Sequence, residues 1–200
     1  MSDGWNDYAD GWDGNSDVRD YAARAFTALD DYAGITGGGW QDKRVLDFGC
    51  GTGLLSEKLA PHVQEVVAVD TSDRMIAVLQ DKALPNVRAL HADILDGSAA
   101  KAGDGLTGFD LICASSVCGF LPDYPGAVAA LAGLLNSGGM FVQWDWLAAD
   151  EGGSGLTLSQ VREALRTAGL GSIRAEPAFE MDAGGQAMPV LMGAGIRAAG

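Results

Sequence analysis

The 200-residue chain carries 27 acidic and 13 basic residues and has a formal net charge of −14. This charge repels phosphate backbones and anionic lipid headgroups, so a long nucleic acid partner and a membrane surface are disfavoured. The 48% of hydrophobic residues suffices for one domain core, whereas no apolar run approaches the roughly 18 residues of a membrane helix and no leader-like segment is recognised.

Residues 1–40 are predicted to form an N-terminal helical arm in front of a domain at residues 41–200. The first 15 residues are acidic yet contain Trp5, Tyr8 and Trp12, and disordered tails are usually poor in aromatic residues. After a cap at Asn15 or Ser16, apolar residues recur with helical spacing at Val18, Tyr21, Ala22, Ala25, Phe26, Leu29 and Tyr32. The glycines at 37–39 then end this helix as a linker.

From residue 43 onward, short apolar runs alternate with amphipathic stretches. Strands are predicted at residues 45–48, 66–69, 87–91, 109–114 and 140–144, the last after a turn at the glycine pair 138–139. Helices are predicted from Leu54, Ser72, Pro125 and a capping box at 157–160, the last helix ending at Gly169. This alternation predicts a mostly parallel sheet with helices on both faces. Two final strands, near 173–181 and 188–196, have only a short connector and must pair antiparallel.

A glycine-rich turn between the first strand and the first helix is the most informative segment. Gly49, Gly51 and Gly53 permit positive φ angles and let a ligand lie against the backbone at a helix N-terminus. A dinucleotide turn places its third glycine three residues beyond the second, where this chain has Leu54. Asp47, just before the turn, would repel a pyrophosphate and attract an ammonium group.

Acidic residues follow the next two strands as well. Asp70 lies 17 residues beyond Gly53, where a carboxylate can accept hydrogen bonds from both ribose hydroxyls. Asp93 follows the third strand and could meet the amino group of adenine. Together with Asp47, these carboxylates indicate a nucleoside that carries an amino-acid tail.

The sequence Val-Leu-Asp-Phe-Gly-Cys-Gly-Thr-Gly-Leu-Leu at 45–55 resembles the first motif of the class I S-adenosylmethionine-dependent methyltransferases, in particular the small bacterial type. Residues 68–72 with Met75 are similar to the ribose-binding motif of that family, and residues 91–94 to its adenine-side motif. Weaker similarities lie at 109–112 and 135–139. The resemblance covers roughly residues 15–196. It implies an α/β, Rossmann-like, seven-stranded and mostly parallel sheet with an antiparallel last strand and helices on both faces.

The resemblance also implies a binding site for S-adenosylmethionine. Asp47 would lie near the amino group of this donor, the three glycines under its amino-acid tail and Asp70 at its ribose. The remaining implied contacts are Thr71, Ser72, Met75, Asp93, Ile94, Ala114 and Ser115, with Tyr8, Trp12 and Arg19 closing over the donor. The alternative for the arm aromatics is that they only pack the arm onto the domain.

The methyl acceptor is less well defined by the sequence. A sulfonium donor needs a base only if the acceptor must lose a proton, and Asp123 and Asp145 are the candidates for that role or for holding a cationic acceptor. Trp144 and Trp146 could form an apolar wall or pack in the core. The Asn/Asp-Pro-Pro-Tyr signature for methylating a planar amide or base nitrogen is absent after Ile112.

The cysteines indicate a reduced compartment and no metal site. Cys50, Cys113 and Cys118 are spaced neither as a disulfide framework nor as zinc ligands, and His62 and His91 do not complete a site. We expect a cytoplasmic protein in which Cys118 is a buried small hydrophobe rather than a nucleophile.

Three functions remain open at this point. The favoured one is an S-adenosylmethionine-dependent methyltransferase that acts on a small molecule or a protein side chain. A regulatory protein that binds the donor without turnover is the second. The third, a nicotinamide-dependent oxidoreductase, is disfavoured by Leu54 and Asp47 and by the lack of a Tyr-x-x-x-Lys proton donor.

Overall fold

The computed structural model describes residues 3–96, 105–150, 152–182 and 185–199. Its contacts divide the chain into two compact units, Met1–Lys101 and Ala102–Gly200. The predicted boundary near residue 40 stays a prediction. None of the described helices is long and apolar enough to cross a membrane.

The first unit contains the N-terminal arm and three parallel strands. The arm has a short helix α1 (Asp3–Asn6), a 3-10 helix (Ala9–Gly14) and the long helix α2 (Ser16–Ala33). They are followed by β1 (Arg44–Phe48), α3 (Leu54–Leu59), β2 (Glu65–Asp70), α4 (Asp73–Asp81) and β3 (Val87–His91). In register, Val45 pairs with Val66 and Val66 with Val87. The fully buried β-branched residues of β2 explain why this strand lies between two others.

The second unit contains the remaining four strands. It comprises β4 (Phe109–Ser115), a 3-10 turn (Cys118–Phe120), α5 (Tyr124–Gly133), β5 (Leu135–Trp146), α6 (Leu158–Thr167), β6 (Leu170–Asp182) and β7 (Ala187–Arg197). β5 is parallel to β4, whereas β7 is antiparallel to both β5 and β6. The antiparallel pairing of the last two strands is therefore confirmed.

The strand order is β3-β2-β1-β4-β5-β7-β6, which makes a seven-stranded, mostly parallel sheet. This confirms the Rossmann-like fold class that the alternation of strands and helices predicted. The predicted caps are also present: Asn15 accepts from the Asp17 N–H, and Thr157 and Gln160 form a capping box.

The start of β5 differs from the prediction. β5 begins at Leu135, five residues before the predicted strand, and contains the two glycines for which the sequence predicts a turn. The register moves from Phe109↔Leu135 to Leu111↔Met140, so extra residues bulge out of the pairing here. A Cβ on Gly139 would lie 2.8 Å from the carbonyl oxygen of Phe109. The glycines thus admit a bulge within the strand instead of a turn before it.

Candidate functional site

The glycine turn of the first unit has the backbone conformation that its sequence predicted. Gly49, Gly51 and Gly53 have φ angles of 67°, 54° and 80°, which non-glycine residues rarely adopt. The N–H groups of Gly49 and Cys50 both donate to the carbonyl oxygen of Val69, over 2.8 and 3.1 Å. The turn is therefore fastened to the carboxyl end of β2.

The second and third glycines of the turn have different surroundings. A Cβ on Gly53 would overlap the side chain of Leu79, so this glycine is needed for the close approach of α4. A Cβ on Gly51 would meet only Met75 Sδ and Trp12 Nε1, each at 3.9 Å. Gly51 therefore leaves space above the turn, and that space is bounded by an aromatic residue of the arm.

Asp47 is a buried carboxylate directly before this turn. Its side chain is 1% exposed, and Ser56 of α3 donates a hydrogen bond to it over 2.6 Å. Burial raises the pKa of Asp47 to about 6 and the charge of Asp70 adds to this, while the Ser56 hydrogen bond opposes it. No ion pair to Asp47 is formed within the part of the chain that the structure describes. A positively charged ligand group would stabilise its ionised form.

Asp70, at the end of β2, connects the glycine turn to α4. One carboxylate oxygen accepts from the N–H of Gly51 and the other from the N–H of Ser72, each over 2.8 Å. Each oxygen keeps a further lone pair that could accept a hydroxyl hydrogen. Ser72 in turn caps α4 by accepting from the N–H of Met75. Asp70 thus fixes the turn and remains able to bind a diol.

The end of β3 lies beside this group. The His91 ring contacts the carbonyl oxygen of Thr71 at 3.1 Å. The N–H of Ala92 donates to the carbonyl oxygen of Asp70. Asp93 is exposed and accepts from the N–H of Leu95, whereas Ile94 is buried. The predicted residues that follow β2 and β3 therefore lie together at the carboxyl ends of these parallel strands.

Polar residues of the arm form hydrogen bonds and an ion pair with the glycine turn and with α4. The sequence analysis did not predict these contacts. Asp13 accepts a hydrogen bond from the Thr52 hydroxyl and forms an ion pair of 2.8 Å with Lys82. Asn6 accepts from the Ser72 hydroxyl and donates to Asp73. The sequence does not show which distant residues the acidic and amide side chains of the arm meet.

The three arm residues predicted to bind the donor have distinct environments. The rings of Trp5, Tyr8 and Trp12 form a cluster with centroid separations of 6.0–6.4 Å, and Tyr8 is 60% exposed. The Arg19 guanidinium donates to the carbonyl oxygen of Asp13. Arg19 therefore holds the arm, and Trp12 lies nearest the turn. Closure over a donor stays a prediction.

The second unit contains the acceptor-side candidates. Asp145, 2% exposed on β5, accepts from the N–H of Gly119 over 2.8 Å and from Gln143 Nε2 over 2.9 Å. Burial raises the pKa of Asp145 to about 7, while these hydrogen bonds oppose that shift. Asp123 instead lies exposed and caps α5 by accepting from the N–H of Gly126. Of the two candidate carboxylates, only Asp145 is buried.

The other candidate residues of the second unit differ in their burial. Trp144 is fully buried in the core, whereas Trp146 is partly exposed. Cys118 is buried, and burial raises the pKa of its thiol, as expected for a hydrophobic residue rather than a nucleophile. Ala114 and Ser115 lie at the end of β4, and their assignment to the donor pocket stays a prediction.

The methyltransferase-domain family matches residues 18–178 of this chain. The ubiquinone biosynthesis O-methyltransferase of Aromatoleum aromaticum is 32% identical over 114 residues, 56% of this chain and 45% of that protein. The chain thus spans less than half the length of this relative.

Two solved structures are similar in fold. The N-methyltransferase NodS of Bradyrhizobium japonicum, in complex with S-adenosyl-L-homocysteine, has a TM-score of 0.67 and 20% identity, over 92% of this chain and 88% of that one. The magnesium protoporphyrin IX methyltransferase of Synechocystis, with bound S-adenosylmethionine, has a TM-score of 0.63 and 21% identity, over 87% and 79%. With the family match over 18–178, they establish that the chain belongs to the methyltransferase-domain family and has the fold of the class I S-adenosylmethionine-dependent methyltransferases.

Proposed function

We propose that this protein binds S-adenosylmethionine at the glycine turn of its first unit and transfers the methyl group to a small-molecule acceptor. The observation that carries the proposal is the buried Asp47 carboxylate behind Gly49 and Gly51, with Asp70 one strand away. A site with these features suits a ligand that has an ammonium group at one end and a ribose diol further along.

The residues present suit the chemistry of this donor. Asp47 supplies a negative charge for the donor ammonium, Gly51 leaves room for its amino-acid tail, and Asp70 offers acceptors for its ribose hydroxyls. We assign the adenine side to Asp93 and Ile94. The further donor contacts in this proposal are Gly53, Thr71, Ser72, Met75, Ala114 and Ser115, with Tyr8, Trp12 and Arg19 on the arm.

The donor supplies a methyl group on a positively charged sulfur, which departs as a neutral thioether. The protein's contribution is then to orient an acceptor in line with that methyl group and to exclude water. In our proposal the arm excludes water, because Trp12 lies beside Gly51 and Asp13 is bound to both Thr52 and Lys82.

A small molecule is the acceptor that we favour over a protein side chain. The relative from Aromatoleum is named for ubiquinone biosynthesis and the neighbour from Synechocystis for magnesium protoporphyrin IX, and both of these are small molecules. The net charge of −14 disfavours a long polyanionic substrate.

Titration of the purified protein with S-adenosylhomocysteine, beside the reduced nicotinamide cofactors, tests the donor assignment. We expect heat of binding with the nucleoside and none with the nicotinamides. Methyl transfer is then tested with labelled S-adenosylmethionine and a panel of small phenols, amines and carboxylates. A folded protein that gives no heat with S-adenosylhomocysteine would contradict the proposal, and donor binding without transfer would favour the regulatory alternative.

Gly51→Ala is expected to lower the affinity for S-adenosylhomocysteine at least tenfold while the protein stays folded. The new methyl group would occupy the space above the turn, and the protein itself offers it only ordinary contacts at 3.9 Å. The positive φ angle should cost about 1 kcal/mol of stability. Calorimetric titration gives the affinity and thermal unfolding the stability. Gly133→Ala, at an open position on α5, is the control. Undiminished affinity in Gly51→Ala would show that the turn does not hold the ligand.

Asp13→Ala is expected to speed the release of S-adenosylhomocysteine about tenfold, because the arm loses its hydrogen bond to Thr52 and its ion pair with Lys82. Stopped-flow tryptophan fluorescence measures the release rate. Asp81→Ala removes an exposed carboxylate from α4 and should leave the rate unchanged. Equal release rates in both variants would mean that the arm does not cover the donor.

A further inference from the structure

A chain of buried polar groups runs through the second unit to the carboxyl end of β5. The Tyr124 hydroxyl donates to Gln143 Oε1 over 2.8 Å, and Gln143 Nε2 donates to Asp145 Oδ2 over 2.9 Å. The backbone N–H of Gly119 donates to the other carboxylate oxygen, Asp145 Oδ1, over 2.8 Å. The carboxylate therefore accepts hydrogen bonds both from its own strand and from the 3-10 turn Cys118–Phe120.

This arrangement suits an ionised Asp145. Because Tyr124 donates to the oxygen of the Gln143 amide, the amide nitrogen faces Asp145, and both carboxylate oxygens face N–H donors. A protonated carboxyl group would place its own hydrogen against one of these donors. No ion pair neutralises Asp145 within the described part of the chain. Such buried, unpaired charges occur preferentially at functional sites.

The 3-10 turn that Asp145 holds carries an exposed aromatic residue. Phe120 is 57% exposed although the preceding Cys118 is fully buried. In parallel α/β sheets, ligands bind outside the carboxyl ends of the strands. The turn Cys118–Phe120 follows the carboxyl end of β4, which lies beside that of β5. The N–H of Gly119, which directly precedes Phe120, is thus bonded to Asp145 near the carboxyl ends of these strands.

We propose that Asp145 is a positioning residue of the acceptor site: its carboxylate holds the turn Cys118–Phe120 at the carboxyl ends of β4 and β5 by accepting from the N–H of Gly119. The inference rests on the proposed function only in assigning the carboxyl ends of β4 and β5 to the acceptor site. It predicts that the Gly119 N–H responds to a change in the charge of Asp145, and that the turn loosens when the Asp145 side chain is truncated.

The titratable groups that face Asp145 do not change charge in this range. They are Cys118, on the turn, and Tyr124, at the start of α5. Burial raises the pKa of the Cys118 thiol and that of the Tyr124 hydroxyl, so both stay neutral. A transition at the turn near pH 7 would therefore belong to Asp145.

The test is a pH titration of the Gly119 amide signal by NMR, in protein labelled with ¹⁵N-glycine and saturated with S-adenosylhomocysteine. Gly119→Ala identifies the signal by its loss, since a Cβ there would lie 3.4 Å from Asp145 Oδ1. In the wild type we expect the signal to move downfield as the pH rises, with a midpoint near 7, because a charge-assisted hydrogen bond forms. Hydrogen exchange, compared at one pH, should show weaker protection of residues 118–120 in Asp145→Ala than in the wild type, because the Gly119 N–H loses its acceptor.

Asp145→Asn should abolish the pH-dependent shift, whereas Glu163→Gln, which changes an exposed acid on α6, should retain it. A Gly119 signal in the wild type that does not shift through neutral pH would overturn the proposal, even if Asp145→Asn fails to fold. A shift that persists in a folded Asp145→Asn, or undiminished protection of residues 118–120 in a folded Asp145→Ala, would overturn it too. Binding of S-adenosylhomocysteine, measured on the same samples, reports separately on the donor site.

Discussion

Replacing Asp70 by alanine is expected to weaken the binding of S-adenosylhomocysteine about 10- to 100-fold, within the 1–3 kcal/mol range for losing hydrogen bonds to a charged group. Two losses contribute to this effect. The proposed ribose hydroxyls lose their acceptor, and Gly51 and Ser72 lose the carboxylate that orders their N–H groups. Calorimetric titration of the folded variant measures the change.

Asp70→Asn separates these two contributions. Asparagine keeps one acceptor oxygen, so it can order either Gly51 or Ser72 but not both. Its affinity should lie between those of the wild type and the alanine variant. Asp81→Ala, which removes an exposed acid on α4, should bind as the wild type does. Unchanged affinity in Asp70→Ala would withdraw the ribose assignment.

Gly155→Ala is expected to destabilise the protein by about 3 kcal/mol or more, with a clear fall in the unfolding temperature. The residue has a φ angle of +115°, and a Cβ would overlap the carbonyl oxygen of Trp146 and lie 2.9 Å from its carbonyl carbon. These are backbone atoms of β5, which cannot move aside as a side-chain tip can. Denaturant unfolding, followed by circular dichroism, measures the loss.

Gly152→Ala is the matched control, because it lies in the same loop and its Cβ would meet only Asp150 at 3.5 Å. It should change the unfolding free energy by less than about 1 kcal/mol. A Gly155→Ala protein as stable as Gly152→Ala would show that the loop does not pack against β5 in this way.

Much of the fold was predictable because its signals are local. The buried β-branched run of β2, the Asn15 and Thr157 caps and the short connector before β7 each act within a few residues. The start of β5 was not predictable, since glycine pairs occur in turns as well as in bulges. Only the partner strand, through Phe109, decides between them.

The candidate site was predictable in part for a similar reason. The glycine turn and Asp70 follow directly from strand ends, whereas the contacts of Asp13 with Thr52 and of Asn6 with Ser72 join residues 39 and 66 positions apart. No periodicity connects residues so distant. The hydrogen-bonded chain of Tyr124, Gln143 and Asp145 was equally hidden, although the alternation along β5 places its last two members on one face.

The place of β7 in the sheet has a consequence for biosynthesis. β7 follows β6 in the chain but lies between β5 and β6, so neither neighbour is fully paired until residues 187–197 have left the ribosome. Until then β5 presents an open edge to other nascent chains, and β6 has no strand to join. The second unit therefore completes its sheet late in synthesis, and a product cut before Ala187 should aggregate during expression.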